Sequence, residues 1–266
     1  MRCTAQTRIR FGILLAAASL AVSPLSGQET TDVAPAPSVR FPAAWYPPDN
    51  DVTSTMAPVK GAPYEARIIM AGQKPGLPIE QEPLQARDGA GRQRTETLQV
   101  RLDRDGRPIT VRAVEVSDPV THCGFRWAEP WVDKSEPTAT VSCMPRTLHY
   151  DAKPMWASVA SMQVAEEHPS STETDRNEPL GERTFGGVQA TGVRHTRIIQ
   201  TAPTGKPQRM VTEFWVSTEL KELVAMYQEF PDGFSMELRE IQLREPDATL
   251  FYPPANYKIN PTGTQP

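Results

Sequence analysis

Gln208-Arg-Met-Val-Thr-Glu-Phe-Trp-Val-Ser217, Leu223-Val-Ala-Met-Tyr-Gln-Glu-Phe230 and Phe234-Ser-Met-Glu-Leu-Arg-Glu-Ile-Gln-Leu-Arg244 follow one another with short breaks. In the third run Phe234, Met236 and Leu238 recur at a period of two, the period of an extended strand. Ile241 and Leu243 fall in the opposite phase, and an extra residue near Arg239-Glu240 would return them to the same side as a β-bulge. In the first run Met210, Phe214 and Val216 share one face, opposite Val211, Glu213, Trp215 and Ser217. Pro231-Asp-Gly233 is a turn signal. These are antiparallel strands joined by hairpins.

The same reading extends in both directions. Val188–Gln200 is a strand, followed by a turn at Pro203-Thr-Gly205. Upstream, Tyr64–Ala71, Leu77–Arg87, Thr95–Leu102 and the run through Ile109, Val111 and Ala113 read as strands, with a shift of phase at Val114 and Val116. Asp88–Gly91 and Asp103–Gly106 turn the chain between them. Periodicity fades from Met144 to Pro179, and residues 163–179 concentrate acids, serines and threonines, which predicts an acidic loop. Downstream, Glu245–Tyr257 ends in apolar residues and prolines and reads as a docking tail; 260–266 reads as a disordered end. No repeat and no long amphipathic helix is evident.

The N-terminus carries Arg2, Arg8 and Arg10 without an acid, then an apolar run from Phe11 to Val22, then Ser23-Pro-Leu-Ser-Gly27. This is the pattern of a secretory signal peptide over 1–27. Its apolar core is shorter than the roughly 20 residues of a spanning helix, so an exported protein with no transmembrane segment after cleavage is expected. Residue 28 is Gln, where lipid attachment would require Cys. Residues 28–63 hold seven prolines and no periodicity, as in an extended leader. The aromatic stretch Phe41–Pro48 within it could pack on the domain or serve a partner. A single β domain over 64–259 remains. Without residues 1–27 the chain has 25 Lys and Arg against 32 Asp and Glu, a formal charge of −7, which disfavours nucleic acid as a partner.

Cys123 and Cys143 remain after export, in a compartment where disulfides persist. They sit in two strand-like runs whose midpoint falls in the turn-prone stretch Glu129–Pro137. A hairpin about that midpoint sets them opposite each other, and the bridge would close a loop of about 20 residues, worth roughly 3 kcal/mol.

Ala86-Arg-Asp-Gly-Ala-Gly-Arg-Gln-Arg-Thr-Glu96, Val116-Ser-Asp-Pro-Val120, Leu180-Gly-Glu-Arg-Thr-Phe-Gly-Gly-Val-Gln-Ala-Thr-Gly192, Val211–Ser217 and Glu245-Pro-Asp-Ala-Thr-Leu-Phe251 together resemble a family of uncharacterised exported proteins common in Acidobacteria. That family is in turn similar to the LolA/LolB-like half-barrels that carry lipoproteins and to RseB-type periplasmic sensors. The resemblance implies a mainly β fold: one strongly curved antiparallel sheet, a half-barrel, with few short helices and an apolar concavity. It transfers no functional residue, and the cysteine pair is not a family feature.

Reactive constellations are missing from the sequence. His122, His149, His168 and His195 lack metal-site spacing, no Gly-x-Ser-x-Gly elbow occurs, and the glycines at 186, 187 and 192 do not form a dinucleotide loop. No catalytic residue, metal or cofactor is predicted. Large apolar side chains on alternating positions remain: Phe125, Trp127, Phe214, Val216, Met226, Phe234, Met236 and Leu238. On a half-barrel such a set either fills a core or lines a site for an acyl chain. The expectation is a non-enzymatic exported binder of a lipid or a lipoprotein acyl chain. The alternative is an envelope interaction or sensor module that uses a sheet edge, the leader or the acidic loop.

Overall fold

A computed structural model describes residues 41–47, 53–54, 57–71, 82–103, 105–131, 136–145, 149–150, 153–162, 167–169, 173–199, 207–229 and 233–262. Residues 1–27, expected as a signal peptide, the expected leader up to residue 40 and the last four residues lie outside them, as do 163–166 and 170–172 of the acidic segment.

Fifteen strands are described: β1 (Thr53–Ser54), β2 (Tyr64–Ala71), β3 (Leu84–Arg87), β4 (Gln93–Leu102), β5 (Pro108–Asp118), β6 (Cys123–Glu129), β7 (Thr138–Cys143), β8 (His149–Tyr150), β9 (Glu167–Pro169), β10 (Glu173–Phe185), β11 (Val188–Ile199), β12 (Gln208–Ser217), β13 (Glu222–Gln228), β14 (Phe234–Gln242) and β15 (Lys258–Pro261). Among the described residues one α-helix, α1 (Met155–Ser161), lies between β8 and β9, and short 3-10 turns occur at Ala43–Trp45 and Ala248–Phe251. Thirteen strands form one sheet in the order β15-β7-β6-β5-β4-β3-β2-β14-β13-β12-β11-β10-β9, while β1 and β8 pair separately. The sheet is therefore two meanders, β2–β7 and β9–β14, joined edge to edge where β2 pairs antiparallel with β14. Its ends do not meet; it is open, mainly antiparallel and has few helices, as expected.

Register explains the sequence pattern. The β14–β2 pairing slips between Arg239 and Gln242, and Glu240 takes a φ of 50°, which is the bulge inferred from the change of phase. On β5, Val114 and Val116 face one core while Val111 packs with Ile109 and Ala128 on the other side. Cys123 and Cys143 are direct partners across β6 and β7, and the disulfide is formed.

Curvature is visible in contacts between strands that are not neighbours. β13, β12 and β11 separate β14 from β10, yet a Cβ on Gly186 would come within 2.9 Å of Ile241. Phe185 and Val188 from the β10–β11 hairpin share a core with Tyr64, Ile68 and Leu238 from β2 and β14. Gly192 makes this possible: it lies directly opposite Trp215, and a Cβ there would stand 2.6 Å from the indole. The concavity of this half is filled by Trp215 and Phe185, with ring centroids 5.5 Å apart. The other half has its own core of Val114, Val116, Phe125, Trp127, Val141 and the disulfide, closed by Phe251.

Three segments differ from the sequence reading. Residues 173–179, expected within an acidic loop, are the first half of the 13-residue strand β10. Their acids are matched by bases on β11: Glu173 and Asp175 by Arg197, Glu178 by Arg194, with Asn177 Oδ1 accepting from His195 Nδ1 at 2.9 Å. Cross-strand charge pairing of this kind stabilises a strand, and a local window sees only the acids. Asn260 and Pro261, expected in a disordered tail, belong to β15, which adds parallel to β7. Phe41–Tyr46, expected in the leader, dock: Phe41 stacks on Trp45 and meets Phe125 edge-on.

Candidate functional site

The eight apolar residues singled out as a lining set do not share one surface. Phe125 and Trp127 are buried among Phe41, Trp45, Phe251 and Tyr252, and Val216 and Leu238 are fully enclosed. Their surface is already covered by protein, which corrects a shared ligand-lining role for these four. Phe214, Met226 and Met236 are only half-buried and stand in direct register across β12, β13 and β14. Met70 on β2 continues the row opposite Met236. Phe234, also half-buried, begins β14 opposite Gln228, beyond this row.

The helix α1 packs on the same group. Trp156, Ala160 and Met162 gather with Phe214, Met226 and Met236 around Val159, Val193, Val216 and Leu223. Its other end faces a cleft of about 430 Å³, lined among others by Val59, His122, Met144, Trp156, Lys221 and Glu222. The volume lies in the ordinary range for small-ligand sites. Trp156 thus belongs both to the apolar row and to the cleft, and its buried indole N–H has no acceptor among the described residues. His122 and Lys221, both at the cleft, hold φ values of 56° and 51°, a left-handed conformation that costs a side-chain-bearing residue about 1 kcal/mol or more.

Beneath the cleft lies a buried polar clasp. Arg87 stacks on the Tyr64 ring at 4.9 Å and spends its whole guanidinium: Nε and one terminal nitrogen donate to Ala62 O, that nitrogen also to Leu220 O, and the other to Lys221 O and, at 2.9 Å, to Glu222. Gln85 donates to Tyr64 Oη at 2.6 Å, and Tyr64 donates to Glu222 at 3.1 Å. Burial raises the Glu222 pKa, against the pull of Arg87, and burial with the nearby Glu222 charge raises that of Tyr64 well above its ordinary value. The Glu222 carboxylate accepts from Arg87, Tyr64 and the amide of Leu223.

The motifs that make the sequence distinctive extend this clasp to the C-terminus. Asp88 accepts from the Arg92 amide at 2.8 Å and from its Nε at 2.5 Å, and Arg92 reaches Tyr252 Oη. Arg94 is held by Glu96 and donates to Leu250 O at 2.9 Å, while its guanidinium covers Trp127. Glu245 accepts from the Gly89 amide, and Asp247 caps the short helix at Ala248–Phe251. The Ala86–Glu96 and Glu245–Phe251 motifs are therefore two halves of one structural joint. Asp118, in a third motif, spends Oδ1 on the amides of Val120 and Thr121.

Among the described residues, no three His, Cys, Asp or Glu side chains come together as a metal site would require, and no helix is long and apolar enough to cross a membrane. His122 and His195 are spent on Pro145 O and on Asn177.

No family model matches the chain, and no curated protein matches it. Among solved structures, one described as "a putative lipoprotein from Parabacteroides distasonis ATCC 8503" is 12% identical, covering 73% of this chain and 100% of its own, with a TM-score of 0.25. A superposition at that level carries no weight for fold or function.

Proposed function

We propose that the protein is a non-enzymatic, exported binder of an acyl chain, with the tail of the ligand on the row Phe214, Met226, Met236 and Met70 and its carbonyl at Trp156. The observation behind this reading is the indole N–H of Trp156, without an acceptor among the described residues, beside a half-buried apolar row. A buried donor without an acceptor costs about 1–3 kcal/mol, and an ester, amide or carboxyl oxygen on a ligand would supply the acceptor. Methionines lining the row suit a flexible chain because the thioether side chain adapts its shape. The disulfide Cys123–Cys143 supports an oxidising, exported setting.

Binding of palmitate to the full chain, followed by native mass spectrometry, tests the reading. One palmitate per chain is expected, with affinity reduced several-fold by Trp156→Phe and more by Phe214→Asp. A chain that takes up no palmitate, and carries no lipid from the expressing cell, overturns it.

A second reading rests on the edge of β10. Among the described residues β9 pairs only with Thr174–Arg176, so the remainder of β10 offers backbone groups on that side for an added strand of a partner protein. Pro179 and the register slip before Gly181 interrupt that edge, which is why the acyl reading is preferred.

A further inference from the structure

Four of the nine methionines of the chain lie on two adjoining cores: Met162 at the end of α1, Met226 on β13 and Met236 on β14 pack on one, and Met236 with Met70 on β2 pack on the other. Met226 faces Met236 directly, and Met236 faces Met70. Side chains in that relation start about 4.5–5.5 Å apart at Cβ. Each thioether has three rotatable bonds, so three sulfurs can turn to a common point between the strands. Met162 packs against the same buried residues as Met226 and Met236. These residues are separated by up to 166 positions in the chain, so only the fold collects them.

The chemistry of this donor set is selective. The apolar residues packed around Met162, Met226 and Met236 are Val159, Val193, Val216, Leu223 and Phe214, and among the described residues no three His, Cys, Asp or Glu side chains gather as a hard-metal site would require. A neutral thioether set cannot compensate the charge of a hard divalent ion, and soft sulfur ligands favour a soft ion. We propose that the methionine group is a binding site for a soft monovalent cation, Cu(I) or Ag(I). Phe214, next to Met226 in the row, offers an aromatic ring to the same cation. This inference goes beyond acyl-chain binding and does not depend on it: the one uses apolar surface, the other sulfur lone pairs.

Ag(I) is the probe, because it needs no reductant and leaves the Cys123–Cys143 disulfide intact. The full chain carrying Cys3→Ser, which removes the cysteine outside that disulfide, is titrated with Ag(I) by calorimetry. One tight equivalent is expected. Met236→Leu should lower the affinity about tenfold or more and Met226→Leu with Met236→Leu further still, while the urea-unfolding midpoint of the metal-free chain moves little because leucine keeps the apolar volume. Unchanged Ag(I) affinity in the double variant, or no Ag(I) uptake by the parent, overturns the site. X-ray absorption at the silver edge of the unsubstituted cluster gives an answer independent of the variants: a shell of sulfur alone supports it, and a shell of nitrogen or oxygen refutes it. Failure of palmitate binding with silver binding retained would refute the acyl reading and leave the metal site standing.

Discussion

Two regions of the molecule use their side chains in opposite ways. Around Tyr64, Arg87 and Glu222, and on through Arg92 and Arg94 to the C-terminal tail, buried polar groups are bonded to named partners. Along Phe214, Met226, Met236 and Met70, side chains are half-buried, flexible and apolar, with a nearby indole N–H left over. The first arrangement tolerates little change, since deleting one partner strands several others in a low-dielectric interior. The second tolerates much, since contacts among thioethers and methylenes can be remade. Rigidity is placed where the two meanders and the tail are joined, and adaptability where a ligand is proposed.

The contrast can be broken most directly at Arg87. Arg87→Met removes the guanidinium donors to Ala62 O, Leu220 O, Lys221 O and Glu222, and about 3–5 kcal/mol of stability should be lost in a urea titration. Gly192→Ala comes next, at about 1–3 kcal/mol, because the new methyl group meets the Trp215 ring. A wild-type-like midpoint for that variant would mean that the close packing behind the curved half is not required.

Glu222→Gln sharpens the electrostatic side. Burial raises the folded pKa of Glu222 above its unfolded value, so between the two values the folded state holds more protons than the unfolded one. Its contribution is then most favourable below the unfolded value and declines as pH rises through the window up to the folded value. Wild-type stability relative to Glu222→Gln should fall over that range, as measured by chemical denaturation in steps from about pH 4 upward; a flat difference would remove the burial argument. The smallest effect is expected at the methionine row, where Met226→Leu should cost less than about 1.5 kcal/mol. A loss there equal to that of Arg87→Met would erase the distinction between the two regions.

The alternation in Phe234–Leu238, the break of phase after it and the symmetric placing of Cys123 and Cys143 were legible from the chain alone, because strand period, bulge and hairpin register are local or nearly local properties. Trp156 and Met70 escaped because neither stands out in its own segment: Trp156 sits in a short helix without a side-chain cap, and Met70 ends an ordinary strand. The strand at Glu173–Pro179 escaped because the bases that neutralise its acids lie on β11. Phe125 and Trp127 look like Phe214 and Met226 in sequence; what separates them is the tail, which brings Phe251 and Tyr252 over the first pair and buries it, whereas α1 leaves the second pair half-buried.

By itself, then, the sequence determines a mainly antiparallel β architecture, the bulge in β14 and the pairing of its two central cysteines, since each follows from periodicity or near-local register. Tertiary structure alone decided that the most distinctive motifs form a joint, that the large apolar residues divide between closed core and half-open row, and that three methionines line up across neighbouring strands. Those outcomes depend on which strands become neighbours across more than a hundred residues, and that choice is made by long-range packing, which no local pattern encodes.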